Sequence, residues 1–238
     1  HRRVTIAARM TEVLERLADI GARPEDSNDE RLRAGALILA SVGIALISFV
    51  WVITYVAFDE PVAAAIPATY QVLTLLGLLT LRRSKRFGVF RTTQFVCFLV
   101  LPAALQAALG GFAASSGMVL WSMMTPLAAL ALLGVRRSMP WLVAFFAMLA
   151  VLAVLDPRLS RGDPADLPDV FVTAFFVLNI AGLTLGTFVL LGYFVHQRDL
   201  AHAELGAERE RSERLLLNVL PAPIAERLKR DDGVIAEH

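Results

Sequence analysis

Residues 170–217 read VFVTAFFVLNIAGLTLGTFVLLGYFVHQRDLAHAELGAERERSERLLL, and the apolar run from Val170 to Val195 exceeds the roughly 20 residues that a helix needs to cross a ~30 Å hydrocarbon core. Stepping alternately three and four from Asn179 reaches Gly182, Gly186, Val189, Tyr193, His196, Leu200, Ala203, Ala207, Glu210, Arg214 and Leu217. That spacing keeps all of them on one face of one continuous helix. The phase survives the change from apolar to polar composition after Tyr193, so the segment reads as a span that leaves the lipid without stopping.

Upstream, five more apolar runs are bounded by charges or turn residues: Ala34–Phe58, Val62–Leu81, Thr92–Gly110, Met118–Val135 and Met139–Leu155. With Val170–Val195 they make six spans, in keeping with a chain that is 56% hydrophobic with a mean hydropathy of +0.60. The expected fold is therefore all-α: a six-transmembrane-helix domain over 34–195, with the last helix continuing over 196–220 as a cytoplasmic, parallel coiled-coil signalling helix. Residues 221–238 form a junction beyond it. Alanines at core positions bury little area and Gly206 costs about 1 kcal/mol of helix propensity, so such a coil is weak. Weakness suits an element that must switch between two arrangements of similar energy.

Of the 23 Lys and Arg residues, 21 fall before the first span, in alternate loops, or after the sixth; only Arg158 and Arg161 lie on the other side. Basic residues are retained on the cytoplasmic face, which places both termini inside and the protein as a multi-pass component of the cell's inner (plasma) membrane. Residues 1–33 contain Ile6, Met10, Val13, Leu17 and Ile20 in the same four-three rhythm, with Gly21 as a stop. They read as an amphipathic cytoplasmic helix that either packs against the dimer, the favoured reading, or lies on the inner leaflet. A cleavable signal peptide is not expected at this end, because no long apolar run follows the first basic residues closely.

No Asp, Glu, Lys or Arg falls inside the six spans as drawn, which counts against ion-coupled transport. The polar residues within them, Tyr70, Gln71, Gln94, Gln106, Ser122, Thr125 and Asn179, are neutral and are expected to make interhelical hydrogen bonds. Gly182-x-x-x-Gly186 lets two backbones approach closely, so Asn179, Gly182, Gly186, Val189, Tyr193, His196, Leu200, Ala203 and Ala207 are the expected homodimer face. Cys97 reads as a small buried hydrophobe; a lone thiol makes neither an internal disulfide nor, with His1, His196, His202 and His238 so placed, a zinc site. The outer loops hold Asp59, Glu60, Asp156, Asp163, Asp166 and Asp169, read mainly as solvated polar loop and alternatively as a site for a divalent cation or a small external ligand. Lipid is the certain partner class, and no nucleic acid is expected.

Past the stripe, Arg214-Leu215-Leu216-Leu217-Asn218-Val219-Leu220-Pro221-Ala222-Pro223-Ile224-Ala225-Glu226-Arg227-Leu228-Lys229 is a helix end broken by two prolines and followed by a short amphipathic helix. This stretch resembles the junction that precedes the catalytic domain of class III adenylyl and guanylyl cyclases, with Asn218, Leu220, Pro221, Ile224, Arg227 and Leu228 as the matching residues. Six upstream spans are similar to the layout of bacterial membrane adenylyl cyclases, themselves similar to one half of the mammalian membrane enzymes. The resemblance implies a homodimer that makes cyclic AMP from ATP with Mg or Mn, its active sites formed between catalytic domains. The catalytic residues would lie beyond His238, and no catalytic residue is expected within this chain. Two other readings stay open: a small six-span transporter or channel, and the membrane sensor of another output domain such as a kinase or diguanylate cyclase.

Overall fold

The computed structural model describes Ile20 and residues 28–160 and 167–219, and all regular structure among them is helical. In chain order the elements are α1 (Asn28–Ile47), α2 (Phe49–Ala57), α3 (Pro61–Ser84), α4 (Phe87–Ala108), a 3-10 helix (Met118–Met123), α5 (Met124–Leu133), α6 (Val135–Leu159) and α7 (Asp169–Val219). The amphipathic segment before Ile20 and the junction after Val219 lie outside the described residues.

Short, well-formed stops make the consecutive helices turn back. At the end of α2, Asp59 takes a left-handed conformation (φ 57°), its N–H reaches the Val56 carbonyl at 3.2 Å, and the Glu60 N–H reaches Tyr55 at 2.8 Å. That pair of bonds is a Schellman stop, and Pro61 then opens α3 at a position where no N–H is needed. The same device closes α4: Gly110 (φ 97°) bonds back to Ala107 at 3.4 Å and Gly111 to Gln106 at 3.0 Å. α1 and α2 together make a single span, Arg33–Ala57, in which the Ser48 hydroxyl donates to the Ala45 carbonyl at 2.8 Å at the interruption.

Helix α4 is the hub. It packs against α1, α3, the 3-10 helix, α5 and α6, and is the most buried of the long apolar helices. Lipid is as apolar as leucine, so packing density and hydrogen bonds, not burial from water, hold such helices together. Both are present here. Thr125 donates to the Phe95 carbonyl and Ser122 to the Leu99 carbonyl, each at 3.0 Å, while Gln94 reaches Thr74 at 3.4 Å. On α3, Tyr70 donates to the Ser41 carbonyl (3.1 Å) and Gln71 to the Ser48 hydroxyl (3.0 Å). The outside is apolar instead: Leu46, Val62, Val143, Val154, Val170 and Phe188 are all exposed, as a lipid-facing surface requires.

Among the described residues five helices, where six spans were expected, are long and apolar enough to cross a membrane: Arg33–Ala57, Pro61–Ser84, Phe87–Ala108, Val135–Leu159 and Asp169–Gly192. The expected fourth span is instead a composite of the 3-10 helix and α5, ending at Gly134 (φ 76°). Pro126 stands just past the change of winding. It lies in the first turn of α5, where its missing N–H costs that helix no bond, and the residues before it wind into the tighter form, whereas Pro67 and Pro102 are accommodated within α3 and α4.

The contact that seats α5 on the hub is testable. Phe95 is 1% exposed and packs on Ala128 and Ala129, with its ring 5.2 Å from that of Trp141 in an edge-on arrangement. Phe95→Ala is expected to lower unfolding stability by about 3 kcal/mol in a detergent-denaturation titration, and Phe95→Leu by less than half of that. An unchanged midpoint for Phe95→Ala contradicts this seating.

Candidate functional site

The first part of α7 meets the rest of the chain through a small set of side chains. Asn179 is fully buried; its side-chain oxygen accepts a hydrogen bond from the Trp121 indole N–H at 3.0 Å, and its amide nitrogen donates to the Ser116 carbonyl at 2.8 Å. One turn earlier, the Phe175 ring stacks on Trp51 at 5.8 Å and meets Tyr55 edge-on at 6.1 Å. Trp51 in turn meets Trp121 edge-on at 6.4 Å, and Phe58 meets Phe171 at 4.7 Å. Aromatic pairs at such distances contribute about 0.5–1.5 kcal/mol each beyond their area. The end of the first span (α2 and Phe58), the 3-10 helix and α7 therefore share one aromatic cluster around a satisfied carboxamide.

This cluster borders an apolar cavity of about 90 Å³, lined among others by Trp51, Pro67, Tyr70, Cys97, Pro102 and Trp121. It is smaller than the several hundred Å³ typical of small-molecule sites. Elsewhere on α4, Gln106 is fully buried and neither end of its amide has a partner within the protein, and the Gln94 carbonyl oxygen has none either.

The expected dimer face divides in two. Asn179, Gly182 and Gly186 are turned toward their own chain: a Cβ added at Gly182 would come within 3.0 Å of the Trp121 ring, and one at Gly186 within 3.7 Å of the Met124 methyl. The small residues do permit close approach, but the approaching group is the same protomer's 3-10 helix and α5. Val189 and Ala203, further along, are exposed; the side chains of Tyr193, His196, Leu200 and Ala207 lie outside the described ones. Glu210 and Arg214, which interrupt the stripe, lie 3.6 Å apart as an exposed i,i+4 pair. Of the junction residues only Asn218 is described, in the last turn of α7; Leu220, Pro221, Ile224, Arg227 and Leu228 fall outside.

The outer carboxylates do not come together. Among the described residues no three His, Cys, Asp or Glu side chains are grouped as metal ligands, and Asp163 and Asp166 lie outside them. Asp156 has a structural task that the sequence did not reveal. Its carboxylate accepts the Phe112 N–H at 2.8 Å and lies where a Cβ on Gly111 (φ 98°) would go, fixing the turn after α4 to the end of α6. Asp59 serves as the left-handed residue of the α2 stop, Glu60 precedes Pro61, and Asp169 begins α7. Compared with known protein families, curated proteins and solved structures, the chain matches none.

Two expectations follow for α7. Asn179→Leu strands the Trp121 N–H and the Ser116 carbonyl and should cost about 1–3 kcal/mol of stability, with much of the loss absent when Trp121→Phe is already in place. Gly182→Ala should lower the thermal midpoint even of monomeric protein in detergent, whereas Gly186→Ala, whose Cβ meets only ordinary contacts, should not. Equal tolerance of both changes would show that Trp121 does not press on α7.

Proposed function

We propose that the chain is the membrane anchor, dimerisation and transducing module of a class III adenylate cyclase, seated in the inner membrane with both termini in the cytoplasm. The observation that carries the reading is α7 itself, an unbroken helix from Asp169 to Val219. At 1.5 Å per residue its 51 residues extend about 77 Å, well over twice the hydrocarbon thickness, and they end in the residues that resemble a cyclase junction. An element of that length transmits a shift or rotation made among Trp51, Trp121 and Phe175 to whatever is joined beyond Val219.

In this reading the 3-10 helix and α5 supply the sixth crossing. Six residues at about 2.0 Å and ten at about 1.5 Å span about 27 Å, close to the bilayer core, because the 3-10 winding lengthens the reach of a short segment. An even number of crossings keeps both basic ends on one side. Pairing of two copies begins at or beyond Val189, since Gly182 and Gly186 are occupied within the protomer, and continues along Ala203 toward Ala207. The cyclase chemistry, with Mg or Mn and ATP, belongs to the parent's catalytic domains. An external cation or small ligand at the outer mouth is the signal that such a receptor would take.

Membranes carrying the full-length parent should convert ATP to cyclic AMP in the presence of Mn or Mg. Three residues inserted after Ala203 rotate the far end of the helix out of phase and should reduce that output at least tenfold; seven inserted residues restore the phase and should retain at least half of it. Absence of cyclic AMP, or equal activity for both insertions, overturns the reading.

A further inference from the structure

A polar pocket of about 340 Å³ lies where α3 hands over to α4. Four separate parts of the fold bring cations to it: Arg33 from α1, Lys85 from the α3–α4 turn, Arg91 from α4 and Arg137 from the first turn of α6. Glu30 is the one carboxylate in its wall. Lys85 uses one N–H on the Ile20 carbonyl at 2.8 Å, and the Arg137 guanidinium is near enough to Arg91 to repel it. Arg91 and Arg137, like charges that the fold brings together from α4 and α6, favour an anion between them.

Three further observations point to phosphate chemistry. The Arg91 Nε–H is buried and has no acceptor among the described residues, while its guanidinium sits 5.9 Å over the Phe87 ring. The first N–H groups of α4, a helix of 22 residues, have no acceptor within their own helix, and the helix dipole is positive at this end. Gly88, in that first turn, leaves open space: a Cβ there would meet nothing within 4 Å. Guanidinium groups and a helix N-terminus together are the usual hydrogen-bonding partners of a phosphate oxygen.

The rest of the wall favours a lipid over a soluble anion. Leu132, Leu133, Ala34 and Phe87 complete the pocket, and it lies at the ends of the long apolar helices α3, α4 and α6. A phosphodiester bound there would continue directly into acyl chains lying along the exposed apolar faces. We propose that this pocket binds the headgroup of an anionic phospholipid on the cytoplasmic side, fastening the ends of α1, α4 and α6 to one another through a shared phosphate. This inference rests on the membrane reading given above.

The test is native mass spectrometry of the detergent-purified chain titrated with dioleoyl phosphatidylglycerol or dioleoyl phosphatidylcholine. Phosphatidylglycerol should bind at least tenfold more tightly, and the advantage should fall to threefold or less in Arg91→Gln/Arg137→Gln. Gly88→Leu, which fills the pocket without removing charge, should do the same if the double variant fails to fold. Arg82→Gln/Arg83→Gln, which removes equal charge from exposed positions outside the pocket, should change binding less than twofold. Equal loss in that control, or no loss in the pocket variants, overturns the site. Competition by glycerophosphoglycerol or inorganic phosphate as strong as that by the intact lipid overturns the lipid assignment in favour of a soluble anion. Carbonate extraction reads the membrane reading separately: the chain should stay in the membrane pellet whether or not the pocket binds lipid.

Discussion

A carboxamide surrounded by hydrocarbon must find both a donor and an acceptor inside the protein, and Asn179 finds them on a segment some 60 residues earlier, in Trp121 and Ser116. That requirement fixes the depth and rotation of α7 against the 3-10 helix. Gly182 then has to be glycine because the Trp121 ring occupies the space a side chain would need, and Phe175 falls against Trp51 and Tyr55. The 3-10 helix is in turn held by the Ser122 bond to the hub helix. The aromatic cluster and the first part of α7 are thereby tied to the hub helix through the 3-10 helix.

The hub helix follows the same rule at other depths. Its carbonyl groups at Phe95 and Leu99 accept from Thr125 and Ser122, and its own Gln94 reaches Thr74 on α3. Side chains with small hydroxyls let neighbouring backbones approach and supply the bond that closes the gap. Gln106 is the exception, buried near the C-terminal end of the helix without a partner among the described residues, and its cost is one that the packing around Ala103 and Val119 must offset.

The sequence was a good guide where physics acts locally. Charges and turn residues bounded the long runs to within a few positions, and the neutral polar residues named as interhelical donors nearly all bond, Gln106 apart. It failed where the partner is distant in the chain. The Gly182-x-x-x-Gly186 pattern announces a close approach but not by whom, and Trp121 lies too far upstream for any periodicity to connect them. Asp156 looked like one more loop carboxylate; its bond to Phe112 depends on how α6 ends beside the Gly110–Gly111 turn. Three arginines and a lysine that lie far apart in the chain converge on one pocket, a property that composition cannot show.

The central claim is that α7 passes from its anchored, apolar part into its polar part as one rigid helix. A pair of spin labels at Leu185 and Ala203, diluted with unlabelled protein in lipid nanodiscs, measures this directly. Eighteen residues of helix predict a single narrow distance near 27 Å. A broad distribution, or a population shorter by more than a helical turn, would mean that the helix bends or unwinds between the two positions and cannot carry a rotation across them.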